Sequence, residues 1–421
     1  MKVMPYTRYL IVGGSAAGLA AAEAIRSLDP NGSIRVLSDE IDAPYFRPMI
    51  PFLVSGKKEA DQIYLAGQGP YKATDVELCL GTRAQKIDIE GRQVITENGN
   101  INPYDQLLIA TGSRPNIPSA IKGTDTLGVF ALRSLEDARQ VSQRAAHAEH
   151  AIMLGGGLLN LKAAFALLER NIKVTLVVNS PEVLSQLMEP EDAFLIRQAL
   201  DKAGLRIITR ANATEIIGDR NGVTGVGLDN GDEISCQMIC IGKGVVPNIE
   251  WLDQCGVMLE GGVVVDKHTQ TNVPEIHAAG DVAVTFDPIS GESMMTGLWT
   301  NAVEMGRCAG TNMAGRQTAY GGTFGILNAT QVAEMPFVSM GIVHTQNTAY
   351  ETHSKKSPSS YRKLVFSPDD DGCLVGALFI GDISKAGLYK SLIREKWEVG
   401  GIKKHLMDNT LHYGHLLCDV K

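Results

Sequence analysis

Residues Tyr9–Arg26 read YLIVGGSAAGLAAAEAIR, and this stretch decides the fold. The first four residues are an apolar run of strand length, small residues follow from Gly13 to Gly18, and the alanine-rich segment from Leu19 to Arg26 favours a helix. A strand, a glycine-rich turn and a helix form the phosphate-binding start of a dinucleotide-binding unit, because backbone N–H groups and the helix N-terminus face the pyrophosphate. Ser15 stands where the second glycine is usual. The alternative is a tight strand–helix turn in another kind of α/β protein.

Length and composition indicate a globular protein of two or three domains. The chain has 421 residues, of which 44% are hydrophobic and 20% charged. Its net charge of −8 argues against nucleic acid as a partner. The seven cysteines form no C-x-x-C pair, which predicts a cytoplasmic location. The apolar run near the N-terminus is too short for a membrane span, and the histidines after residue 340 lack metal-ligand spacing, so neither a span nor a metal site is expected.

A second strand is predicted from Ser33 to Leu37. In a dinucleotide-binding unit, an acidic residue near the end of this strand binds the ribose hydroxyls. Glu40 is the first choice for that role, and Asp39 and Ser38 lie beside it. The alternative is that these three are ordinary solvated loop residues.

A second unit of the same pattern begins at Ala151. The sequence AIMLGGGLLNLKAAFALLERNIKVTLVV predicts a strand, a turn at Gly155–Gly157, a helix and a further strand over Lys173–Val178. Two such units in one chain form an internal duplication. The two units together are much more specific evidence for nucleotide binding than either unit alone, and they predict two nucleotide sites.

Four further segments carry a family resemblance: Pro44–Pro48 (PYFRP), Ala110–Pro115 (ATGSRP), Cys240–Asn248 (CIGKGVVPN) and Thr271–Val282 (TNVPEIHAAGDV). With the two glycine turns, they make the chain resemble the FAD-dependent pyridine nucleotide-disulfide oxidoreductases. Within these, it resembles the NADH:rubredoxin reductase and nitrite-reductase-like branch. The resemblance implies an α/β fold with two Rossmann-like domains of the glutathione-reductase type and a C-terminal α+β domain. It implies a discontinuous FAD-binding domain that combines residues 1–115 and 248–316. It also implies an NAD(P)-binding domain at residues 116–247 and a C-terminal interface domain at residues 317–421.

The resemblance also implies which residues bind FAD. In the family, the residue at Arg47 lies against the flavin side of FAD, which makes Arg47 a catalytic candidate, and the residue at Asp281 accepts hydrogen bonds from the ribityl chain. A helix that opens with Gly297–Ala302 and runs to about Met313 would face the pyrimidine edge of the flavin with its start, although Trp299 could equally be a core aromatic. The candidates for FAD are Gly13, Gly14, Ser15, Ala16, Ala17, Gly18, Ser38, Asp39, Glu40, Arg47, Pro48, Ala84, Ala110, Thr111, Gly112, Arg114, Gly280, Asp281, Leu298 and Trp299.

The second unit departs from the family at three positions. Asn160 replaces the third glycine, which predicts looser helix–strand packing. Lys162 replaces a common acid on the helix face that points towards the flavin, and it is the second catalytic candidate. Val178 replaces the acid of NAD-specific members, yet 178–181 lacks the arginine typical of NADP sites. We expect NAD(H) or NADP(H) to bind, without a preference between them. The candidates are Gly155, Gly157, Leu158, Leu159, Asn160 and Gly242.

The resemblance implies an oxidoreductase, since FAD accepts a hydride and releases single electrons. Disulfide-reducing members of this fold need a cysteine shortly after the second strand, and Ile41–Leu53 contains none. We therefore expect electron transfer between NAD(P)H and an iron–sulfur carrier or subunit of the rubredoxin or ferredoxin type, in a homo- or hetero-oligomer. The chain could serve as the flavin subunit of a larger redox complex, such as an anaerobic aldehyde oxidoreductase. The alternatives are a flavin-binding structural or regulatory subunit with a decayed NAD site, and an NADH oxidase.

Overall fold

The structure is a computed structural model that describes residues 2–65, 75–322, 326–345, 349–368, 372–412 and 414–415. The chain divides into two compact units. Unit 1 comprises Met1–Ile117, Ala131–Gln143 and Gly244–Thr323, and unit 2 comprises Pro118–Phe130, Arg144–Lys243 and Phe324–Lys421. The three-domain division expected from the sequence stays a prediction, because compactness alone does not define domains.

The described residues contain twenty-five strands and eight α-helices. The strands are β1 Thr7–Val12, β2 Ile34–Leu37, β3 Val76–Cys79, β4 Ala84–Asp88, β5 Gln93–Thr96, β6 Ile101–Ile109, β7 Ser113–Pro115, β8 Val129–Phe130, β9 His150–Leu154, β10 Lys173–Val178, β11 Arg206–Thr209, β12 Ala213–Asp219, β13 Gly222–Leu228, β14 Glu233–Ser235, β15 Met238–Ile241, β16 Val245–Pro247, β17 Val263–Val264, β18 Ile276–Ala278, β19 Ala283–Phe286, β20 Ser293–Met294, β21 Leu327–Val332, β22 Met335–Gly341, β23 Glu351–Lys356, β24 Tyr361–Phe366 and β25 Leu374–Ile380. The helices are α1 Ala16–Leu28, α2 Ile50–Val54, α3 Leu135–Ala145, α4 Leu158–Leu168, α5 Phe194–Lys202, α6 Trp299–Met313, α7 Ala386–Arg394 and α8 Lys403–Asp408.

Unit 1 is built on one mixed sheet with the strand order β3-β2-β1-β6-β5-β4, and β18 pairs with β6. Strand β1 lies parallel to both β2 and β6, and β18 is parallel to β6. The four residues from Tyr9 to Val12 are buried, as expected of a central parallel strand covered on both faces. The carboxyl ends of β1, β2, β6 and β18 therefore meet at one edge, where open α/β sheets bind their ligands.

Helices α1 and α6 pack closely because glycines line their contact. A Cβ atom on Gly306 would overlap the Ala17 carbonyl oxygen, and one on Gly310 would overlap the Ala21 carbonyl oxygen. A Cβ on Gly280, just after β18, would lie 3.2 Å from the Cβ of Ala17. Small residues thus hold the loop after β18 against the beginning of α1.

Unit 2 contains a parallel sheet and two antiparallel ones. The parallel sheet has the order β11-β10-β9-β15-β8, so its pattern repeats the centre of unit 1. An antiparallel meander, β12-β13-β14, follows β11. The C-terminal strands form the antiparallel order β21-β22-β25-β24-β23. These sheets confirm the α/β class with a C-terminal α+β region.

A buried ion cluster lies within unit 2. Lys363 on β24 is 3% exposed and pairs with Glu189 and Asp192, the latter at 3.1 Å. The Tyr361 hydroxyl donates a hydrogen bond to Asp192. A buried ammonium is stable only when carboxylates neutralise it, so this cluster ties β24 to the segment before α5.

Candidate functional site

The first glycine turn leaves no room for larger side chains. Gly13 has a φ of +125°, and a Cβ there would overlap the Ala110 carbonyl oxygen at the end of β6. A Cβ on Gly18 would overlap the Gly13 carbonyl oxygen, and one on Gly14 would lie 3.0 Å from the Cβ of Ser38. The turn is therefore a backbone cradle with the N-terminus of α1 beneath it, which suits the close approach of a pyrophosphate.

Arg47 stands beside this cradle and is held by three groups. Its Nε donates to Ser15 Oγ at 3.1 Å, one terminal nitrogen donates to the Arg133 carbonyl oxygen at 3.1 Å, and the other pairs with Glu40. Burial lowers the pKa of Arg47, but Glu40, Tyr45 and Asp281 together more than offset this, so the pKa lies above its ordinary value. Tyr45 donates its hydroxyl hydrogen to Glu40 at 2.6 Å. The cation at the cradle is thus permanent and oriented.

A second arginine lies at the same edge of the sheet. Arg133 donates to Asp281 Oδ2 at 2.6 Å and to Ser113 Oγ at 3.0 Å, and Ser113 Oγ donates to the same Asp281 oxygen at 3.0 Å. The Asp281 side chain is only 12% exposed. A Cβ on Gly297 would lie 3.5 Å from that Asp281 oxygen, so the start of α6 lies beside the carboxylate.

Sequence inspection did not single out Arg133, although a local signal precedes the helix. Ser134 and Asp137 form a reciprocal cap for α3: the Ser134 N–H donates to Asp137 at 2.7 Å, and the Asp137 N–H donates to Ser134 Oγ at 3.1 Å. The Arg133 N–H also donates to Asp137 at 2.8 Å. The capping motif S-x-x-D therefore fixes the backbone that presents Arg133, but only the return of residues 131–143 to unit 1 brings it to Asp281.

The other candidates for FAD have the following places in unit 1. Trp299 begins α6, after Leu298, and its ring packs edge-on against Phe46 at a centroid distance of 4.9 Å. Arg114 pairs with Glu250, and Thr111 Oγ1 donates to the Asn248 carbonyl oxygen at 2.9 Å. The remaining positions are Ala16 and Ala17 in the first turn of α1, Asp39 exposed in the loop after β2, Pro48 after Arg47, Ala84 at the start of β4, and Gly112 with a φ of +64°.

The residues present in unit 1 fit an FAD. The cradle admits backbone contact, two guanidinium groups can oppose the charges of a pyrophosphate, and Asp281 supplies a hydrogen-bond acceptor near the start of α6. The role of each residue towards FAD remains a proposal.

The second glycine turn repeats the geometry of the first within unit 2. Gly155 has a φ of +109°, and a Cβ there would overlap the Gly242 carbonyl oxygen at the end of β15. No atom lies within 4 Å of the Cβ that Gly157 would carry, so the turn is open before Leu158 and Leu159 begin α4. The open turn fits the phosphates of a second dinucleotide.

Asn160 was expected to loosen the packing of the helix against the strand, but its side chain fits closely. Its side chain is buried, and Nδ2 donates to the Gly155 carbonyl oxygen at 2.6 Å. Its Cγ would lie 2.6 Å from a Cβ on Gly242, so glycine at 242 makes room for the asparagine. Glycine at position 242 thus compensates for the asparagine that replaces glycine at position 160.

Lys162 lies one turn into α4 and is half-buried. Burial lowers the pKa of its ammonium group from the ordinary value. Its predicted orientation towards the flavin remains a prediction.

None of the helices described is long and apolar enough to cross a membrane. Among the described residues, no group of three or more histidine, cysteine, aspartate or glutamate side chains is arranged to hold a metal ion.

Comparison with known proteins supports the resemblance seen in the motifs. The chain is 28% identical over 416 residues to NADH-dependent phenylglyoxylate dehydrogenase subunit epsilon of Aromatoleum evansii, covering 98% of this chain and 97% of the relative. It is 30% identical over 311 residues to rubredoxin-NAD(+) reductase of Ectopseudomonas oleovorans, covering 73% of this chain and 80% of that relative. The solved covalent putidaredoxin reductase–putidaredoxin complex shares the fold, with a TM-score of 0.87 at 22% identity over 98% of each chain.

Family models match most of the chain. Residues 327–397 match the rubredoxin NAD+ reductase C-terminal domain, and residues 7–306 match the pyridine nucleotide-disulphide oxidoreductase family. The chain therefore belongs to the pyridine nucleotide-disulphide oxidoreductases and is an FAD-dependent NAD(P)H oxidoreductase.

Proposed function

We propose that this chain exchanges electrons between NAD(P)H and an iron–sulfur carrier or partner subunit, as the flavin subunit of a larger cytoplasmic redox complex. The observation that carries the proposal is that Ile41–Leu53, which follows β2, has no cysteine. A protein disulfide cannot relay electrons from that segment. The electrons then leave from the flavin to an acceptor outside the chain.

Six cysteines lie among the described residues, and three of them, Cys236, Cys240 and Cys308, are buried. No disulfide joins any of them. Burial raises the pKa of Cys236 and of Cys240 to about 12, and that of Cys308 to about 11. Because the thiolate is the reactive form, these three buried thiols are unsuited to relay electrons at neutral pH.

The residues of unit 1 would hold FAD, which supplies a hydride acceptor that can release single electrons. The Ser15 turn and Arg47 would bind the pyrophosphate, with Arg133 adding a second positive charge. Asp281 would orient the ribityl chain. The N-terminus of α6 would favour negative charge on the adjacent ring edge, because helix N-termini carry partial positive charge.

The relatives support an external redox partner. The relative from Aromatoleum evansii is named as a subunit of an NADH-dependent dehydrogenase and matches nearly the full chain. The C-terminal match is to the domain of a rubredoxin reductase. A hetero-oligomeric flavin subunit accounts for both likenesses.

The test is an anaerobic titration of the purified, FAD-loaded protein with NADH and with NADPH, followed at the absorbance of oxidised flavin. We expect either nucleotide to bleach the flavin, and oxidised rubredoxin or ferredoxin to restore the absorbance. Bleaching without recovery by either carrier would contradict the proposed partner class.

Two alternatives predict other outcomes. A structural or regulatory subunit with a decayed NAD site would bind FAD that neither nucleotide bleaches. An NADH oxidase would consume NADH rapidly in air without any added protein, and this rate would exceed the rate with an iron–sulfur carrier.

A further inference from the structure

Four polar side chains form a cluster within unit 2, beyond the carboxyl ends of β10, β11 and β15. We name it the Lys243 cluster, and it consists of Lys243, Asn212, Asn179 and Asp229. Lys243 Nζ donates to Asn212 Oδ1 at 3.4 Å. Asn212 Nδ2 donates to Asn179 Oδ1 at 3.0 Å and to Asp229 Oδ2 at 3.1 Å. Two hydrogen bonds thus join the ammonium group to the residue that directly follows Val178.

The two parallel sheets show which position of unit 2 corresponds to Ser38 of unit 1. In unit 1, Leu37 pairs with the last residue of β1, and Ser38, the next residue, faces the glycine turn. In unit 2, Val177 pairs with the last residue of β9, and Val178 faces the turn, 2.8 Å from a Cβ on Gly156. Val178 therefore occupies the position that corresponds to Ser38, and its buried apolar side chain cannot bind ribose hydroxyls.

Lys243 supplies the one positive charge of the cluster, and Asp229 supplies the one negative charge. The half-buried Lys243 follows Gly242, which contacts the first glycine of the turn, so its side chain extends from the edge where a nucleotide would lie. Burial lowers the pKa of Lys243, and the Asp229 carboxylate opposes that shift. Both Asp229 oxygens already accept hydrogen bonds from Asn212, at 3.0 and 3.1 Å. The Asn212 amide oxygen, 3.4 Å from the ammonium group, is a weaker hydrogen-bond partner than a phosphate.

We propose that the Lys243 cluster binds the 2′-phosphate of an adenine nucleotide, so that the chain prefers NADPH to NADH and Lys243 determines that specificity. This inference rests on the proposed function, since it concerns the nicotinamide site of the same enzyme. A cation near the end of the second strand accommodates a 2′-phosphate, whereas an acid there selects the free ribose of NADH.

The test is isothermal titration calorimetry of the FAD-loaded protein with adenosine 2′,5′-bisphosphate and its isomer adenosine 3′,5′-bisphosphate. The two ligands have the same charge, so only a positioned phosphate site distinguishes them. We expect the 2′,5′ isomer to bind at least about tenfold more tightly, as a charge-assisted hydrogen bond implies. Equal affinities in the wild-type protein would overturn the inference.

Three variants assign the preference to the cluster. Lys243→Met should remove the discrimination between the isomers, and Asp229→Asn should strengthen binding of the 2′,5′ isomer, because a repelling charge is lost. Lys173→Met is the matched control, since Lys173 is exposed at the opposite end of β10. Discrimination that survives Lys243→Met would overturn the role of Lys243.

The anaerobic titration separates failure of this inference from failure of the proposed function. Bleaching by NADH, together with equal binding of the two isomers, would overturn the NADPH preference and leave the electron-transfer function standing. Lack of bleaching by both nucleotides would overturn the function itself.

Discussion

Replacing Arg133 with glutamine tests whether the arginine–aspartate pair organises the flavin site. Arg133 donates to Asp281 at 2.6 Å, and the side chains are 25% and 12% exposed, so the pair is largely shielded from water. Glutamine retains a donor but removes the positive charge. The Asp281 carboxylate would then keep only the Ser113 hydroxyl as its partner among the contacts described above.

The magnitude follows from the kind of bond that is lost. Hydrogen bonds to charged groups contribute about 1.5–3 kcal/mol when shielded, compared with about 0–1 kcal/mol for exposed ion pairs. We expect FAD binding to weaken by about 2 kcal/mol, which corresponds to a dissociation constant about 30-fold higher.

The assay measures free FAD by its fluorescence after dilution of the holoprotein. Arg139→Gln is the matched control, because Arg139 pairs with Asp42 but is 41% exposed. We expect less than a threefold effect in the control, in line with an exposed pair. If Arg133→Gln released no more FAD than Arg139→Gln, the assignment of the Arg133–Asp281 pair to the flavin site would be refuted.

Four further changes have defined outcomes. Asp281→Ala should lower the FAD content after purification because an anchor is lost, and unchanged flavin occupancy would count against that anchor. Lys162→Ala should slow the bleaching of flavin by NAD(P)H while the FAD content stays constant, and stopped-flow absorbance measures both; an unaltered rate would exclude a flavin-facing role. Lys363→Met should reduce the free energy of unfolding by about 3–5 kcal/mol, because Glu189 and its neighbouring carboxylate stay buried without their cation; a loss below about 1 kcal/mol in urea unfolding would contradict this. His277 is 3% exposed and burial lowers its pKa, so the unfolded chain binds its proton more readily. Stability should therefore fall as the pH drops below about 6.5, and His277→Gln should flatten the thermal midpoints across that range.

The local sequence pattern was sufficient to predict those strands and helices that depend only on neighbouring residues. The second strand of unit 2 was predicted over Lys173–Val178, and β10 has these bounds. A helix was predicted to open within Gly297–Ala302 and to run to about Met313, and α6 spans Trp299–Met313. Helix α1 begins at Ala16 rather than Leu19, because the small residues that follow the extended Ser15 already adopt helical geometry.

Contacts between distant segments could not be inferred from spacing. Glu40 was the first choice for binding ribose, yet its carboxylate pairs with Arg47 and accepts the Tyr45 hydroxyl hydrogen. Its predicted role stays a prediction. The contact between Arg133 and Asp281 was not predicted, because the two residues lie 148 positions apart along the chain.

The sequence alone determined the family, the two glycine turns and the lack of a cysteine after the second strand, because each depends on residue type at short spacing. The tertiary structure decided how the departures are accommodated. Asn160 is tolerated because its amide binds the Gly155 carbonyl oxygen and Gly242 leaves room for it. Lys243 reaches Asn212 only because parallel strands bring their carboxyl ends to one edge of the sheet. A one-dimensional pattern records neither contact, since both join segments that are far apart in the chain.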